Sequence, residues 1–298
     1  MERWPQLRYD DWKDTLQTLH MWTQIVGKIR LRQEPLVNHW WNVALYVTQR
    51  GFTTTPMPHR GGKTFSIDFD FIDHALHIAD CDGQTCSFAL EPMSVAAFYG
   101  KVMRDLDEME LPVRIDTKPN EVEEAIPFEA DERHASYDRK YAERFWRAVV
   151  RIDRLLKAFR AGFLGKASPV HFFWGSFDLA VSVFSGRPAP PHPGGFPNLP
   201  DSVTQEAYSR EEQSFGFWPG GYGLEASLYA YAYPQPAGYA GAAIRPGAAG
   251  WNPQLREFVL PYESVRTSVD PDDAALSFFT SAYDAGAALA RWDPSLHR

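Results

Sequence analysis

Two stretches of the sequence repeat the same order of residues, and an internal repeat constrains the fold of a whole chain. Residues 39–59 and 171–192 each begin with His and two aromatic residues, pass through apolar residues to a Gly, and end in a Pro-rich run that closes on His. Each stretch follows a segment with helical spacing of apolar residues. The repeat predicts a duplicated helix-plus-meander unit, and chance convergence of two similarly buried strands is the alternative.

Helix and strand patterns alternate along the first half of the chain. Apolar residues three and four apart after Asp10 predict a first helix that ends near Gly27, and Glu91-Pro92 opens a second helix. Period-two runs of β-branched and aromatic residues predict strands at 39–48, 64–71, 75–79, 85–90 and 111–115. This order is typical of an antiparallel meander flanked by helices.

The second half carries the same kinds of pattern. A long amphipathic helix is predicted from Tyr137 to Phe163, and a last helix has Asp270 as its cap and Pro271 at its first position. Further strands are predicted at 170–184, 214–218 and 225–233. The predicted fold class is therefore α+β, with antiparallel sheets flanked by helices.

An acidic, proline-punctuated stretch at 118–133 favours a surface connection between the two halves. The predicted domains are accordingly an N-terminal α+β half, 1–117, and a C-terminal α+β half, 134–298, which carries most of the candidate site. Both would have enough residues to bury a sizeable core.

The charge balance excludes several classes of partner. A formal net charge of −8 gives no electrostatic basis for binding nucleic acid or an anionic membrane. No apolar run reaches the roughly 18 residues that a spanning helix needs, and the N-terminus lacks the features of a secretory signal, so a cytoplasmic location is expected. The flanks of a predicted hairpin turn hold Cys81 and Cys86, where neither a disulfide nor a thiolate metal site is expected.

The strand that begins at His171 has the most functional character. Alternation predicts that Trp174, Ser176 and Asp178 share one face of this strand. A carboxylate on that mixed face would serve as a general base, with His171 as its partner, or as a hydrogen-bond anchor for a ligand. The plain alternative is an aspartate that stabilises a turn at the surface.

Three further stretches of the second half combine aromatic residues with polar ones. The loop 188–200 holds six prolines and would present His192 over a pocket or cover a sheet edge. The glycine-rich stretch 215–223 would let the backbone approach a ligand closely while an aromatic ring stacks on it. The strand 225–233 that follows carries a ladder of tyrosines on one face. The candidate ligand-binding residues of these stretches are His192, Arg210, Trp218, Tyr229 and Tyr231, and Glu211 is a candidate acid or base.

Metal ligation is a competing use of these residues. His39, His171, His192 and Glu211 would supply the donors that zinc or non-haem iron prefers. None of them has the local spacing of a metal motif, so no metal ligand is assigned, and the sequence points to no particular cofactor.

The most specific motifs are Phe-Trp-Gly-Ser-Phe-Asp at 173–178 and Gly-Phe-Trp-Pro-Gly at 216–220. At these residues the chain resembles an uncharacterised bacterial family that is catalogued only as a conserved domain of unknown function, and the resemblance spans most of the chain. Relatives carry Ser-His-Glu where this chain has Ser209-Arg210-Glu211, and this departure weakens a metal or general-base role there. The resemblance implies no reaction.

These stretches are expected to converge on one aromatic-lined pocket for a small molecule. The favoured hypothesis is an enzyme that uses carboxylate and histidine acid–base chemistry, with Asp178, Glu211 and His171 as its catalytic groups. A non-catalytic binding or sensing protein, a metal-dependent enzyme, and an interaction protein whose aromatic residues are core are the alternatives. The substrate and the oligomeric state are not encoded in any pattern found in the sequence.

Overall fold

The computed structural model describes residues 3–221 and 223–297. Its helices are α1 (Tyr9–Gln33), α2 (Val95–Glu108), α3 (Arg139–Arg160), α4 (Asp201–Ala207), α5 (Tyr262–Arg266) and α6 (Pro271–Leu289). Its strands are β1 (Tyr46–Val47), β2 (Gly51–Thr53), β3 (Met57–Pro58), β4 (Thr64–Asp70), β5 (Ala75–Asp80), β6 (Thr85–Ala89), β7 (His171–Phe173), β8 (Asp178–Pro188), β9 (Arg210–Gly221), β10 (Leu224–Tyr233), β11 (Gly250–Asn252) and β12 (Glu257–Pro261).

The strands form two antiparallel sheets, which confirms the α+β class. The first sheet has the order β1-β2-β4-β5-β6, with β3 paired to β4, and the second has the order β11-β12-β10-β9-β8-β7. None of the helices among the described residues has the length and apolar character needed to span a lipid bilayer.

The core of the first half lies between its sheet and the helices α1 and α2. Alternate residues of β4, namely Phe65, Ile67 and Phe69, are buried because the period-two pattern directs them to one face. Trp22 of α1 stacks on Phe98 of α2 with ring centroids 4.7 Å apart. This face of the sheet is therefore sealed by aromatic packing.

The second sheet packs one apolar face against α3 and α6. Phe159 of α3 contacts Phe215 of β9 at a ring distance of 4.6 Å and Phe279 of α6 at 5.9 Å. Helix α6 begins as predicted, because the side chain of Asp270 accepts a hydrogen bond from the backbone N–H of Asp273. The opposite face of this sheet carries polar and aromatic side chains.

One backbone bridge links the two sheets. Leu45, just before β1, and Phe172, within β7, exchange both backbone hydrogen bonds, with N to O distances of 2.9 and 2.8 Å. The strand order of each sheet runs outward from this bridge, which agrees with a duplicated unit. The duplication nevertheless stays a prediction, because the segments at His39 and His171 differ locally.

Several sequence expectations about this first half are wrong. Residues 39–48 were expected to be a strand, but Asn38–Val43 forms 3-10 turns and only β1 is extended. The turns require left-handed backbone at His39 and Trp40, which the alternation of aromatic residues does not reveal. Residues 111–115 also form no strand.

The helix boundaries differ in two places. Helix α1 continues past Gly27 to Gln33, because its later residues are buried between the sheets and tertiary packing outweighs the stop signal of one glycine. Helix α2 begins after Ser94, whose hydroxyl accepts from the N–H of Ala97, and not at Glu91-Pro92.

The connection at 118–133 packs against α1. The Lys28 ammonium donates to the carbonyl oxygen of Lys118 at 2.6 Å, and Phe128 is fully buried. The proposed boundary between two halves at this connection remains a prediction.

Candidate functional site

A tight turn positions the first residue of the candidate site. Residues 170–184 were expected to be a single strand, but β7 ends at Phe173 and β8 begins at Asp178. Between them, Phe177 has a φ of 59°, a left-handed conformation that costs free energy for a bulky residue. Its ring is buried and stacks on Phe145 with centroids 5.2 Å apart, which holds the turn.

Asp178 lies buried on the polar face of the second sheet, with 8% of its surface exposed. The hydroxyls of Ser176 and Tyr229 each donate a hydrogen bond to one of its carboxylate oxygens. Burial raises the pKa of Asp178, and the two hydrogen bonds oppose that rise. Burial also raises the pKa of Tyr229, so its hydroxyl remains a donor.

Two glutamates that sequence reasoning missed complete an acid cluster, defined here as Asp178, Glu121 and Glu257. Burial, and then the charge of Asp178, raise the pKa of Glu121 to about 7. The same two causes raise the pKa of Glu257 to about 8. At neutral pH Glu257 is therefore mostly protonated and Glu121 is near the midpoint of its titration, beside an aspartate with two hydroxyl donors.

Glu121 reaches the cluster because Gly175 leaves room for it. A Cβ atom on Gly175 would lie 2.0 Å from Oε1 of Glu121, so any larger residue would displace this carboxyl. The same turn is held from the other side by His20, whose Nε2 donates to the carbonyl oxygen of Gly175 at 2.8 Å. Burial lowers the pKa of His20 to about 4, so this imidazole is neutral.

Two loop segments, 118–124 and 188–200, lie over the polar face and are called the cover. The backbone N–H of Glu121 donates to the carbonyl oxygen of Pro197 at 2.8 Å, and the amide of Asn198 donates to the carbonyl oxygen of Val122 at 2.7 Å. The proline-rich loop was predicted to lie over a pocket or a sheet edge, and it lies over the tyrosine face of the sheet.

The tyrosine ladder faces this cover. Tyr229 and Tyr231 stack with ring centroids 6.1 Å apart, and the hydroxyl of Tyr231 lies 2.9 Å from that of Tyr208. The imidazole of His192 stacks on Tyr208 at 4.5 Å and contacts Tyr233 at 5.0 Å. The cover thus places one predicted ligand-binding residue, His192, on the ladder that contains two others.

Both predicted tryptophans are at least half-buried. Trp174 is in the β7–β8 turn, its indole N–H donates to the carbonyl oxygen of Val43 at 2.8 Å, and its ring fills the space beside Gly27 of α1. It packs between elements of the first half and does not share a strand face with Asp178 as expected. Trp218 lies half-buried on β9, paired with Ser227 on the face that bears the ladder.

Glu211 does not join Asp178. Its carboxylate accepts hydrogen bonds from Ser185 at 2.9 Å and from Arg187 at 2.7 Å. The neighbouring Glu212 pairs with Phe184, six residues along β8 from Asp178, which puts Glu211 about 20 Å away. Arg210 is exposed at the start of β9, where its guanidinium donates to the carbonyl oxygen of Ser209.

His171 lies on the same face as the cluster but has different neighbours. It pairs with Ala180, and its Nε2 lies 3.3 Å from the hydroxyl of Tyr46. Burial lowers the pKa of His171 to about 3, so the imidazole is neutral at physiological pH. Its Nδ1 is buried and has no hydrogen-bond partner among the described residues.

The possible metal ligands are dispersed. In the part of the chain that the structure describes, no three His, Cys, Asp or Glu side chains are arranged to hold a metal ion. His39 contacts Lys166, His192 stacks on tyrosines, and Glu211 pairs with Arg187.

Comparison with known proteins settles the family. The profile of DUF5996, a family of unknown function, matches residues 4–298, nearly the whole chain. The chain belongs to this family. The resemblance predicted from the motifs at 173–178 and 216–220 is thereby confirmed, and no curated protein and no solved structure matches the chain.

An open surface depression of about 430 Å³ adjoins the acid cluster on the same face of the second sheet. Its floor includes Val259, which pairs with Tyr229, and its rim includes Asn252, which pairs with Glu257. A ligand seated there would lie one strand away from the hydroxyl that donates to Asp178.

A signal for Glu257 was present in the sequence and one for Glu121 was not. Glu257 opens the short strand-like run Glu-Phe-Val-Leu-Pro, so the period-two geometry of a strand could have placed it on the face of Val259. Glu121 belongs to a run of acidic residues typical of a solvated loop. Its position depends on contacts distant in sequence, such as the hydrogen bond to Pro197 and the space at Gly175.

Proposed function

We propose that this protein is an enzyme that acts on a small molecule by general acid–base catalysis at the acid cluster. The observation that carries the proposal is the environment of Asp178, a buried carboxylate that accepts two hydroxyl hydrogen bonds beside two carboxyls whose pKa values lie near neutrality. Pairs of carboxyls in unequal environments are a recurrent way to obtain an acid and a base in one site.

The roles follow from the hydrogen bonds and the charges. Asp178 is the proposed base, because Ser176 and Tyr229 stabilise its ionised form. Glu121 and Glu257 are the proposed proton donors, because burial and the charge of Asp178 raise their pKa values to about 7 and about 8, so that both carry protons to a large extent near pH 7. Because the three carboxyls are coupled, the measured pKa values belong to the cluster.

Substrate entry requires the cover to move. The two loops of the cover are joined to each other by hydrogen bonds such as that from Asn198 to Val122. The cover is attached to α1 through Gln24, whose amide donates to the carbonyl oxygen of Asn120 at 2.8 Å. Opening would break these hydrogen bonds and the ring contacts of His192 with Tyr208 and Tyr233 but would leave the core between sheet and helices intact, so it costs less free energy than unfolding. The tyrosines and His192 then supply ring surfaces for the substrate.

The test compares two buried aspartates. Asp178→Asn should lower turnover by at least about 100-fold on any compound that the parent converts in a panel of chromogenic esters, glycosides and enolisable carbonyl compounds. Asp153→Asn is the matched control, because Asp153 is also 8% exposed but pairs with Lys157 on α3. Parent-like turnover by Asp178→Asn would refute the assignment.

A second measurement does not depend on knowing the substrate. Carbon-detected NMR titration of the glutamate carboxyls should find two that titrate near pH 7 and 8 and that disappear in Glu121→Gln and Glu257→Gln. Titration of both carboxyls near their ordinary value of about 4.3 would remove the proposed acids.

A non-catalytic role is favoured by one observation, the charge balance of the cluster. Within the described residues, the charged group that shifts the pKa values of Glu121 and Glu257 is the carboxylate Asp178 and not a cation. A small primary amine would relieve this repulsion. Hexylamine, compared with hexanol, should then raise the melting temperature of the parent but not that of Asp178→Asn, with no turnover.

A further inference from the structure

A second cluster of polar groups lies at the other end of the same sheet face, outside the acid cluster. Lys166 precedes β7, and its ammonium Nζ lies 2.8 Å from Nε2 of His39. Nδ1 of His39 donates to the carbonyl oxygen of Ala207 at 2.7 Å, so Nε2 is the acceptor for the lysine. Lys166 is an exposed residue, so a ligand can approach it from solvent.

Two aromatic rings flank this amine. Nζ of Lys166 lies 5.0 Å from the ring of Trp41 and 5.1 Å from that of Phe184. The backbone N–H of Phe184 donates to the carbonyl oxygen of Lys166 at 3.0 Å, which fixes the lysine against β8. A planar ligand that reached the amine would contact the half-buried ring of Trp41, behind which Phe184 is buried.

The chain accepts backbone strain to build this arrangement. His39 and Trp40 both have left-handed backbone, with φ values of 60° and 57°, and this conformation is rare for tryptophan. Strain of this kind persists where the surrounding structure fixes it and is concentrated at functional sites. Here its result is that the imidazole of His39 faces Lys166.

Acidic groups surround the amine as well. Burial raises the pKa of the Glu212 carboxyl to about 8, and the nearby Lys166 opposes this rise. The negative charge of Glu206 favours the protonated forms of both Lys166 and His39. Its buried Oε2 has no hydrogen-bond partner among the described residues. Burial and the charge of Arg210 lower the pKa of Lys166.

We propose that Lys166 is a nucleophilic amine that forms a reversible imine with a small aromatic aldehyde or ketone. The neutral amine adds to the carbonyl carbon and forms a C–N bond. The carbonyl oxygen then leaves as water with the two amine protons, and the C=N bond results, so no oxidant or reductant is needed. His39 takes the proton of the ammonium form. Glu212 supplies a proton to the departing hydroxyl and regains one from the nitrogen as the C=N bond forms, so the two amine protons are the net protons of the water.

The test uses benzaldehyde as the probe, followed by borohydride reduction and peptide mass spectrometry of the intact parent chain. Lys157 is the internal reference, because it is 59% exposed and pairs with Asp153 on α3, away from aromatic rings. At pH 7, Lys166 should be labelled at least about tenfold faster than Lys157. Equal rates would overturn the proposal.

A second comparison tests the contribution of the Trp41 ring beside the Lys166 amine. Relative to Lys157, Lys166 of the parent should prefer benzaldehyde to acetaldehyde, and Trp41→Ala should lose that preference. Absence of the preference in the parent would overturn the assignment of an aromatic carbonyl ligand, whether or not the variant folds.

Discussion

The two sheets differ in what lies on their second face. In the first sheet, β6 alternates between exposed and half-buried residues, and Thr85, Ser87 and Ala89 face solvent. In the second sheet, β9 is buried along most of its length on both faces, and polar residues such as Glu212 and Ser214 are among those covered. An antiparallel sheet needs only one covered face.

The difference teaches where function is to be sought. Burying carboxyls costs free energy, which the first sheet offsets by pairing its buried carboxylates, Asp70 and Asp80, with the cations of Arg50 and Lys63. The second sheet accepts this cost at Asp178 and Glu212, which are 8% and 5% exposed. Stability alone gives no reason for such a layer, so the covered polar face is the candidate site.

The largest expected effect concerns the apolar faces of the two sheets, where loss of a buried ring should lower the free energy of unfolding by a similar amount. Phe177→Ala in the second half and Phe69→Ala in the first should each lower the free energy of unfolding by about 3–5 kcal/mol, because both remove a buried ring. Urea denaturation measures both losses. A cost below about 1 kcal/mol at Phe177 would mean that its ring does not hold the turn before Asp178.

An intermediate effect should appear in the pH dependence of stability. Glu121 and Glu257 have raised pKa values in the folded protein, so between about pH 4.5 and 8 the folded state binds more protons than the unfolded state. The contribution of these two carboxyls to the free energy of unfolding is fully present below about pH 4.5 and is lost as the pH rises through 7 and 8. We expect a loss of about 1–3 kcal/mol, reduced by partial exposure.

Denaturation at pH 5 and pH 8.5 measures that loss. The double variant Glu121→Gln and Glu257→Gln should reduce the difference, with a remainder from Glu212, whose pKa burial also raises to about 8, whereas the exposed neighbour change Glu123→Gln should keep the parent's profile. An unchanged profile in the double variant would show that Glu121 and Glu257 do not have raised pKa values in the folded protein.

The smallest effect tests the space beside the turn. Gly175→Ala should cost about 1 kcal/mol, because its Cβ would displace the end of a flexible side chain, Glu121, and should bring the pKa of Glu121 back towards its ordinary value. In the first half, Gly100→Ala on α2 meets open space and should be neutral or stabilising. Equal outcomes for the two alanines, by thermal melts and carboxyl NMR, would argue against this placement of Glu121.

Local patterns predicted much of the fold. The meander of β4, β5 and β6 follows from period-two alternation, and α6 follows from its cap and proline. The segment at His39 could not be predicted, because its turns depend on left-handed backbone at two residues whose side chains suggest a strand.

The candidate site was only partly within reach of the sequence. Alternation correctly grouped Tyr229 and Tyr231 on one strand face, and the motif at 173–178 drew attention to Asp178. Glu121 enters through contacts across the chain, which no local pattern encodes. Glu211 was favoured because it lies near the glycine-rich stretch in sequence, and sequence proximity does not report the direction of a side chain.

The bridge between Leu45 and Phe172 has a consequence for how the molecule is assembled. A strand at the border of a sheet presents unpaired backbone groups that invite pairing with another chain. Here β1 and β7 stand at those borders, and the bridge joins the two ladders side by side within one molecule. Either sheet alone would leave that border unpaired, so the joining of the two sheets within one molecule protects both borders against self-association.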